Sequence, residues 1–212
     1  MRQRALACYR AHYEDFGPTL ACEKLAERHH LRLGRETLRR WLVAAGLWRG
    51  QRHASRHHQW RERKACRGEL VQVDGSHHDW LEGRGPQLVL MGYIDDATNE
   101  AFARFYDYEG TLPAFDSFAR YARRYGLPQS VYVDRHTTYR SPGKRTVTDE
   151  LAGRSRPQSQ FERALEALGV RVIPAYSPQA KGRIERLFGT FQDRLIKELR
   201  LAGAQTRDEA NA

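Results

Sequence analysis

Eight consecutive residues, Gln87 to Ile94 (QLVLMGYI), form an apolar run without a single charge. The run is far too short to cross a bilayer and reads as a strand buried on both faces, at the centre of a sheet. Its neighbours extend the pattern. Leu70-Val71-Gln72-Val73-Asp74 alternates and stops at Gly75-Ser76, Asp95 to Asn99 is turn chemistry, and Ala101 to Tyr106 is a third strand. Asp95 and Asp96 are expected to be solvated turn carboxylates.

The second half of the pattern alternates helix and strand. Leu112 to Tyr125 predicts a helix with Phe115, Phe118, Ala119 and Ala122 inward and Arg120, Arg123 and Arg124 outward, stopped by Gly126-Leu127-Pro128. Ser130 to Val133 is a fourth strand running into Asp134. Phe161, Leu165 and Leu168 mark a helix, and Val170 to Ile173 a fifth strand. A long helix from about Ala180 to Leu201 carries the stripe Ile184, Leu187, Phe188, Phe191, Leu195 and Leu199. Three strands, helix, strand, helix, strand, helix predicts an α/β fold with a mixed sheet flanked by helices.

Charge divides the chain in two. Its 212 residues hold 36 Lys+Arg against 26 Asp+Glu, yet residues 1–66 alone carry 15 and 6, and the remainder 21 and 20. A net +9 module therefore precedes a near-neutral one, which points to a polyanionic partner for the first. No signal-peptide apolar region opens the chain, and no membrane partner is expected. Cys8, Cys22 and Cys66 are odd in number and widely spread, so they read as reduced thiols of an intracellular protein.

Within the basic module, residues 4–12 suit a short helix, Pro18 suits a helix start, and Thr19 to His29 continues it. After a turn at His30 to Gly34, a helix from Arg35 to Ala45 places Leu38, Trp41, Leu42 and Ala45 on one face and Arg35, Glu36, Arg39 and Arg40 on the other. Two short helices about a tight turn suit a helix-turn-helix entering a major groove; a helical hairpin with a solvated charged face is the competing reading. Trp48 to Arg67 reads as a basic linker able to follow a phosphate backbone. Zinc at His53 and His57, or at Cys8 and His12, lacks a paired C-x-x-C to complete four ligands.

The carboxylates carry the chemistry. Asp74 ends the first strand and Asp134 the fourth, and Glu185 lies in the first turns of the last helix. With strands one and four side by side the aspartates meet, and the helix can bring Glu185 over them. Any single strand-end aspartate is more often a turn or cap residue. Three converging carboxylates repel unless cations neutralise them, and hard oxygen donors suit Mg²⁺ or Mn²⁺. Two such ions can activate a water or 3′-hydroxyl at a phosphodiester.

Val71 to Ser76 (VQVDGS), Val131 to Asp134 (VYVD) and Ser177 to Arg186 (SPQAKGRIER) resemble the three catalytic blocks of DDE transposases and retroviral-type integrases. Phe16 through Trp48 resembles the helix-turn-helix ahead of the core in bacterial insertion-sequence transposases. The resemblance implies a helix-turn-helix domain over 1–50, a linker over 51–67 and a ribonuclease H-like core over 68–212. It implies Asp74, Asp134 and Glu185 as catalytic, metal-binding residues holding two Mg²⁺ or Mn²⁺ ions. Hydrolytic nicking at transposon ends and attack of the 3′-hydroxyl on target DNA would follow. The implied partners are double-stranded DNA, at transposon ends and target, and further copies of the chain. The implied location is the bacterial cytoplasm and nucleoid.

DNA contacts are expected from Arg35, Arg39, Arg40, Lys181, Arg183 and Arg186. Gly182 would let the helix N-terminus approach a phosphate, and Lys181 is either a terminal-phosphate contact or a solvated lysine. His77 and His78 are expected to orient the site or lie on the surface. Asp134 and Glu185 lie 51 residues apart, with an inserted loop over 140–160. The resemblance calls for a further helix and a C-terminal DNA-binding region for which the chain, ending at Ala212, leaves no sequence. The core is therefore expected to be C-terminally incomplete, and an inert DNA-binding protein occupying element ends is the alternative function.

Overall fold

The structure, a computed structural model, describes residues 1–49, 62–134, 136–139, 141, 143, 147, 151, 157–175 and 181–212. Most of the basic linker, with His53 and His57, lies outside the described residues. So do much of the loop over 140–160 and residues Ser177 to Ala180. The chain divides into two units, Met1–His57 and His58–Ala212.

Among its described residues the first unit holds three helices, α1 (Arg2–His12), α2 (Pro18–His29) and α3 (Arg35–Ala44). Pro18 opens α2, where the missing N–H would have had no helical partner. The helices share a core of Leu6, Tyr9, Tyr13, Phe16, Leu20, Leu25, Leu38 and Leu42. The Tyr9 hydroxyl donates to the Phe16 carbonyl at 2.9 Å and ties the end of α1 to the turn before α2. On α3, Leu38 and Leu42 are buried, whereas Trp41 and Ala45 are only half-buried.

The second unit is a five-stranded sheet in the order β3-β2-β1-β4-β5. Its strands are β1 (Val71–His78), β2 (Leu88–Asp95), β3 (Ala101–Tyr106), β4 (Ser130–Val133) and β5 (Arg171–Pro174). The first three form an antiparallel meander, and β4 and β5 add in parallel beside β1. Its helices include, among the described residues, α4 (Thr111–Tyr125), α5 (Gln160–Ala167), α6 (Gly182–Ala202) and a single turn, α7 (Arg207–Ala210).

Every residue of β2 is buried, because both faces of the sheet are covered. Val89, Met91 and Tyr93 join α4 and α5 through Phe118, Tyr121, Phe161 and Leu165. Leu88, Leu90 and Ile94 face the other way, toward Ile184, Phe188, Ile196 and Leu199 of α6 and toward Trp80. Gly92 is the point of closest approach: a Cβ there would stand 2.7 Å from the Phe188 ring, so only glycine lets α6 lie this near the sheet.

Several expectations are corrected. Strand β1 does not stop at Gly75; it continues to His78, because β2 offers ladder partners as far as Leu88. Asp95 and Asp96 are not solvated: they are 2% and 0% exposed. Asp95 accepts from the backbone N–H groups of Gly68, Ala97 and Thr98 and from the Thr98 hydroxyl, so it builds the turn from inside. Leu168 lies beyond the end of α5 and is exposed, since the chain turns through the left-handed Gly169.

The last residues form a short helix after the long one. Thr206 and Glu209 form a capping box for α7, and the Asn211 side chain both accepts from the Phe105 N–H and donates to the Phe105 carbonyl. One amide thus takes the place of a neighbouring strand along edge strand β3.

Candidate active site

The register of the β1–β4 pair brings the two aspartates level with each other just past its carboxyl end. The parallel ladder pairs Val71 with Val131 and Gln72 with Tyr132. Carried two residues further, the same register sets Asp74 opposite Asp134. Asp74 is therefore the fourth residue of an eight-residue strand rather than its end, two residues beyond the last pair with β4. Asp134 follows β4 directly and accepts from the His136 N–H at 2.9 Å.

Burial raises the Asp74 carboxyl above the ordinary carboxylate range. The Lys181 ammonium pulls it back down, and the charges of Asp134 and Glu109 push it further up. Lys181 is not a solvated lysine: it is 6% exposed, and its Nζ lies 2.8 Å from Asp74 Oδ1. Glu109, between β3 and α4, is a site carboxylate that sequence reasoning missed. Its Oε2 lies 2.8 Å from His77 Nε2. A Cβ on Gly75 would stand 2.8 Å from the Glu109 carboxyl carbon, so the glycine after Asp74 is what admits this side chain. His77 thus holds Glu109, while His78 packs edge-on against Trp80.

Glu185 lies in the first turn of α6 and is exposed. Among the described residues, no group of three His, Cys, Asp or Glu side chains is arranged to hold a metal ion. What fixes the start of α6 is a buried polar relay. The Gln72 side chain accepts from the Ile184 N–H at 3.2 Å and donates to Asp96 at 3.4 Å. Asp96 accepts from Arg183 Nε at 2.9 Å and from the Lys64 N–H at 2.8 Å. Strand β1, two residues before Asp74, is so bolted to the helix that bears Glu185.

The expected DNA contacts separate on this geometry. Arg183, expected among them, is turned inward: its side chain is 11% exposed and committed to Asp96, with Asn99 beyond. Arg186 is exposed. On α3, Arg35 is exposed, and Arg39 and Arg40 both pair with Glu36, at 2.6 and 3.4 Å. The Arg39 guanidinium holds the Glu36 carboxyl down at about 2. No helix among the described residues is long and apolar enough to cross a membrane.

No family model matches the chain. Over its whole length it is 44% identical to the putative transposase y4bF of Sinorhizobium fredii and 28% identical to the transposase for insertion sequence IS1202 of Streptococcus pneumoniae. The chain spans about half the length of these curated relatives, 45% and 52% respectively. Among solved structures it resembles the simian T-cell lymphotropic virus intasome in complex with the PP2A regulatory subunit B56 gamma. That match has a TM-score of 0.57 at 18% identity, over 88% of this chain and 64% of that one. The HTLV-2 integrase catalytic core domain in complex with magnesium gives 0.50 at 15%, over 68% and 79%. The relatives in sequence are transposases, and the five-stranded mixed sheet flanked by helices is the ribonuclease H-like fold of a retroviral integrase core.

Proposed function

We propose that the chain carries the catalytic core of a transposase that cleaves phosphodiesters at the ends of a mobile DNA element and joins them to target DNA. The observation that carries this reading is the register that sets Asp74 beside Asp134 at the carboxyl end of β1 and β4. Ligands of open α/β sheets bind at that edge.

The donor set fits a divalent cation. Two hard carboxylates adjoin, a third, Glu109, adds its charge, and a cationic ammonium is already drawn onto Asp74. Asp74 and Asp134 would hold Mg²⁺ or Mn²⁺, with Glu185 as the third ligand, and two ions are the proposed complement. When bound, such ions supply Lewis-acid activation of the attacking oxygen and charge stabilisation at the phosphate. The chain's own part is positional. The Gln72–Asp96–Arg183 relay fixes the helix that bears Glu185, and the dipole of α6 favours an anion at its start.

The basic first unit is proposed as a helix-turn-helix that docks on duplex DNA through Arg35, Arg39 and Arg40, with Lys181 and Arg186 touching DNA near the cut. Domain limits of 1–50, 51–67 and 68–212 follow, and several copies of the chain are proposed to act together. Nicking of duplex DNA bearing the element's terminal repeat, in Mg²⁺ or Mn²⁺, tests the reading. Single Ala replacement of Asp74, Asp134 or Glu185 should abolish nicking and leave duplex binding intact. Residual nicking in any variant removes that residue from the triad.

A second reading has one observation in its favour: Glu185 is exposed, and among the described residues no three such side chains are grouped to hold a metal ion. In it the chain binds element ends without cutting. Retained binding without metal-dependent nicking would decide for it.

A further inference from the structure

We propose that Lys181 is a tethered competitor for the cation seat, its ammonium occupying Asp74 until a divalent ion displaces it. The proposal rests on the reading of Asp74 as a divalent-cation ligand.

The ion pair is not needed to hold α6 in place. The Ile184 N–H on Gln72 and the Arg183 guanidinium on Asp96 already tie the start of the helix to the sheet. Nor does the helix itself favour a cation here. Lys181 is the N-cap residue, where the unpaired N–H groups and the helix dipole disfavour positive charge. Among the described residues, the ammonium's ion-pair partner in this nearly buried position is a carboxylate. Asp74 bonds it at 2.8 Å, and Asp134 and Glu109 act by charge on that same Asp74 carboxyl.

One monovalent cation cannot balance three carboxylates, so the cluster stays net negative and still draws cations. A divalent ion reaching Asp74 meets the ammonium as a like charge at close range, and the two cannot share the oxygen cheaply. The backbone of Lys181 is fixed by the bolted helix, while its four-carbon stem is flexible. The side chain can therefore leave without moving α6, and its displaced ammonium is then available to an incoming phosphate. Metal loading and phosphate capture become one exchange, in which the lysine gives up Asp74 and then serves the phosphate.

The test is Mn²⁺ uptake by the full chain without DNA, followed by the electron paramagnetic signal of free Mn²⁺. It compares the wild type with Lys181→Gln, Lys181→Arg and Asp74→Asn. Lys181→Gln should bind Mn²⁺ roughly tenfold more tightly, the scale of removing one like charge from a partly buried site. Lys181→Arg, which keeps the charge, should stay near the wild type. Lys181→Gln leaves Asp74 without its ammonium, so its melting temperature without metal should fall, and Mn²⁺ should raise it more than it raises that of the wild type.

Equal or weaker Mn²⁺ binding by Lys181→Gln, or an equal rise in melting temperature, overturns the exchange while leaving Asp74 as a ligand. Uptake that is the same in Asp74→Asn as in the wild type overturns the metal reading itself, and this inference with it. The two failures are distinguishable in one set of titrations.

Discussion

The Arg183 guanidinium donates to Asp96 at 2.9 Å across the junction of α6 with the β2–β3 turn, and Asp96 is wholly buried. A buried carboxylate deprived of its cation keeps its desolvation cost and loses its compensation, which typically costs about 3–5 kcal/mol. Arg183→Ala should destabilise the second unit toward the lower end of that range, since the Lys64 N–H and Gln72 still reach Asp96. Urea unfolding followed by far-ultraviolet dichroism measures it. A loss below about 1 kcal/mol, the scale of an exposed pair, would mean the contact is solvated. That outcome would return Arg183 to the DNA-facing set.

Glu109 should be felt at Asp74 through charge. The native Asp74 carboxyl sits above its ordinary value chiefly through burial, with Asp134 and Glu109 adding to the rise. A carboxyl raised in the folded state holds its proton more tightly there than in the unfolded chain. Its contribution to stability is therefore greatest at low pH and is lost as pH rises from the unfolded value through the native one. Glu109→Gln should lower the native pKa of Asp74 and shrink that loss. Carbon-detected NMR titration of the Asp74 carboxyl checks this, and an unmoved midpoint would place Glu109 too far away to matter.

These two cases mark what was legible in the sequence. The two-sided burial of β2 is written in its uncharged run, and the strand pattern also gives β1 and β4 as neighbours, which the parallel ladder shows. Asp95 and Asp96 misled because their letters are those of a solvated turn. Their burial depends on Gly68, Lys64, Gln72 and Arg183, none of which is near them in sequence. Glu109 was hidden for the same reason, because only the fold sets it over Gly75. A signal for it did exist, in a glycine directly after a strand aspartate, where some other group has to come close. Lys181 was picked out by its place before Glu185, but its partner was invisible because sequence spacing does not say where a flexible stem ends.

On α3, Glu36 pairs with Arg39 and Arg40, one turn further along the helix, and would compete for them with DNA docked as proposed. Its carboxyl is held at about 2 by Arg39, so Glu36 stays ionised at any pH where DNA binding is measured and loses its charge only as pH falls toward that value. Glu36→Gln releases Arg39 and Arg40 from the carboxylate. If α3 faces the groove, duplex affinity should rise. The log–log salt slope should also steepen, by about one unit for each further phosphate that the freed arginines neutralise. Fluorescence anisotropy over a salt series reads both. An unchanged slope would say that these arginines point away from the DNA.

The aromatic layer between the sheet and α4 should make the second unit sensitive to alkali. Burial pushes the phenols of Tyr93, Tyr106 and Tyr139 up, and that of Tyr121 to about 12, against an ordinary value of 10. Between pH 10 and 12 the unfolded chain gives up phenolic protons that the folded chain keeps, so stability falls as pH rises through that window. A native titration at 295 nm, stopped at pH 11 before unfolding, should show fewer ionised phenols than the ten tyrosines yield in urea. Tyr93 is the sharpest case, because its hydroxyl is buried against Ser117 at 2.7 Å and its ring stacks on Tyr121. Tyr93→Phe keeps the ring and removes the hydroxyl. It should cost about 1 kcal/mol at neutral pH, the usual net worth of a buried neutral hydrogen bond, and should lessen the alkaline loss. A full complement of phenols ionising in the folded chain at pH 11 would mean that this layer is open to water.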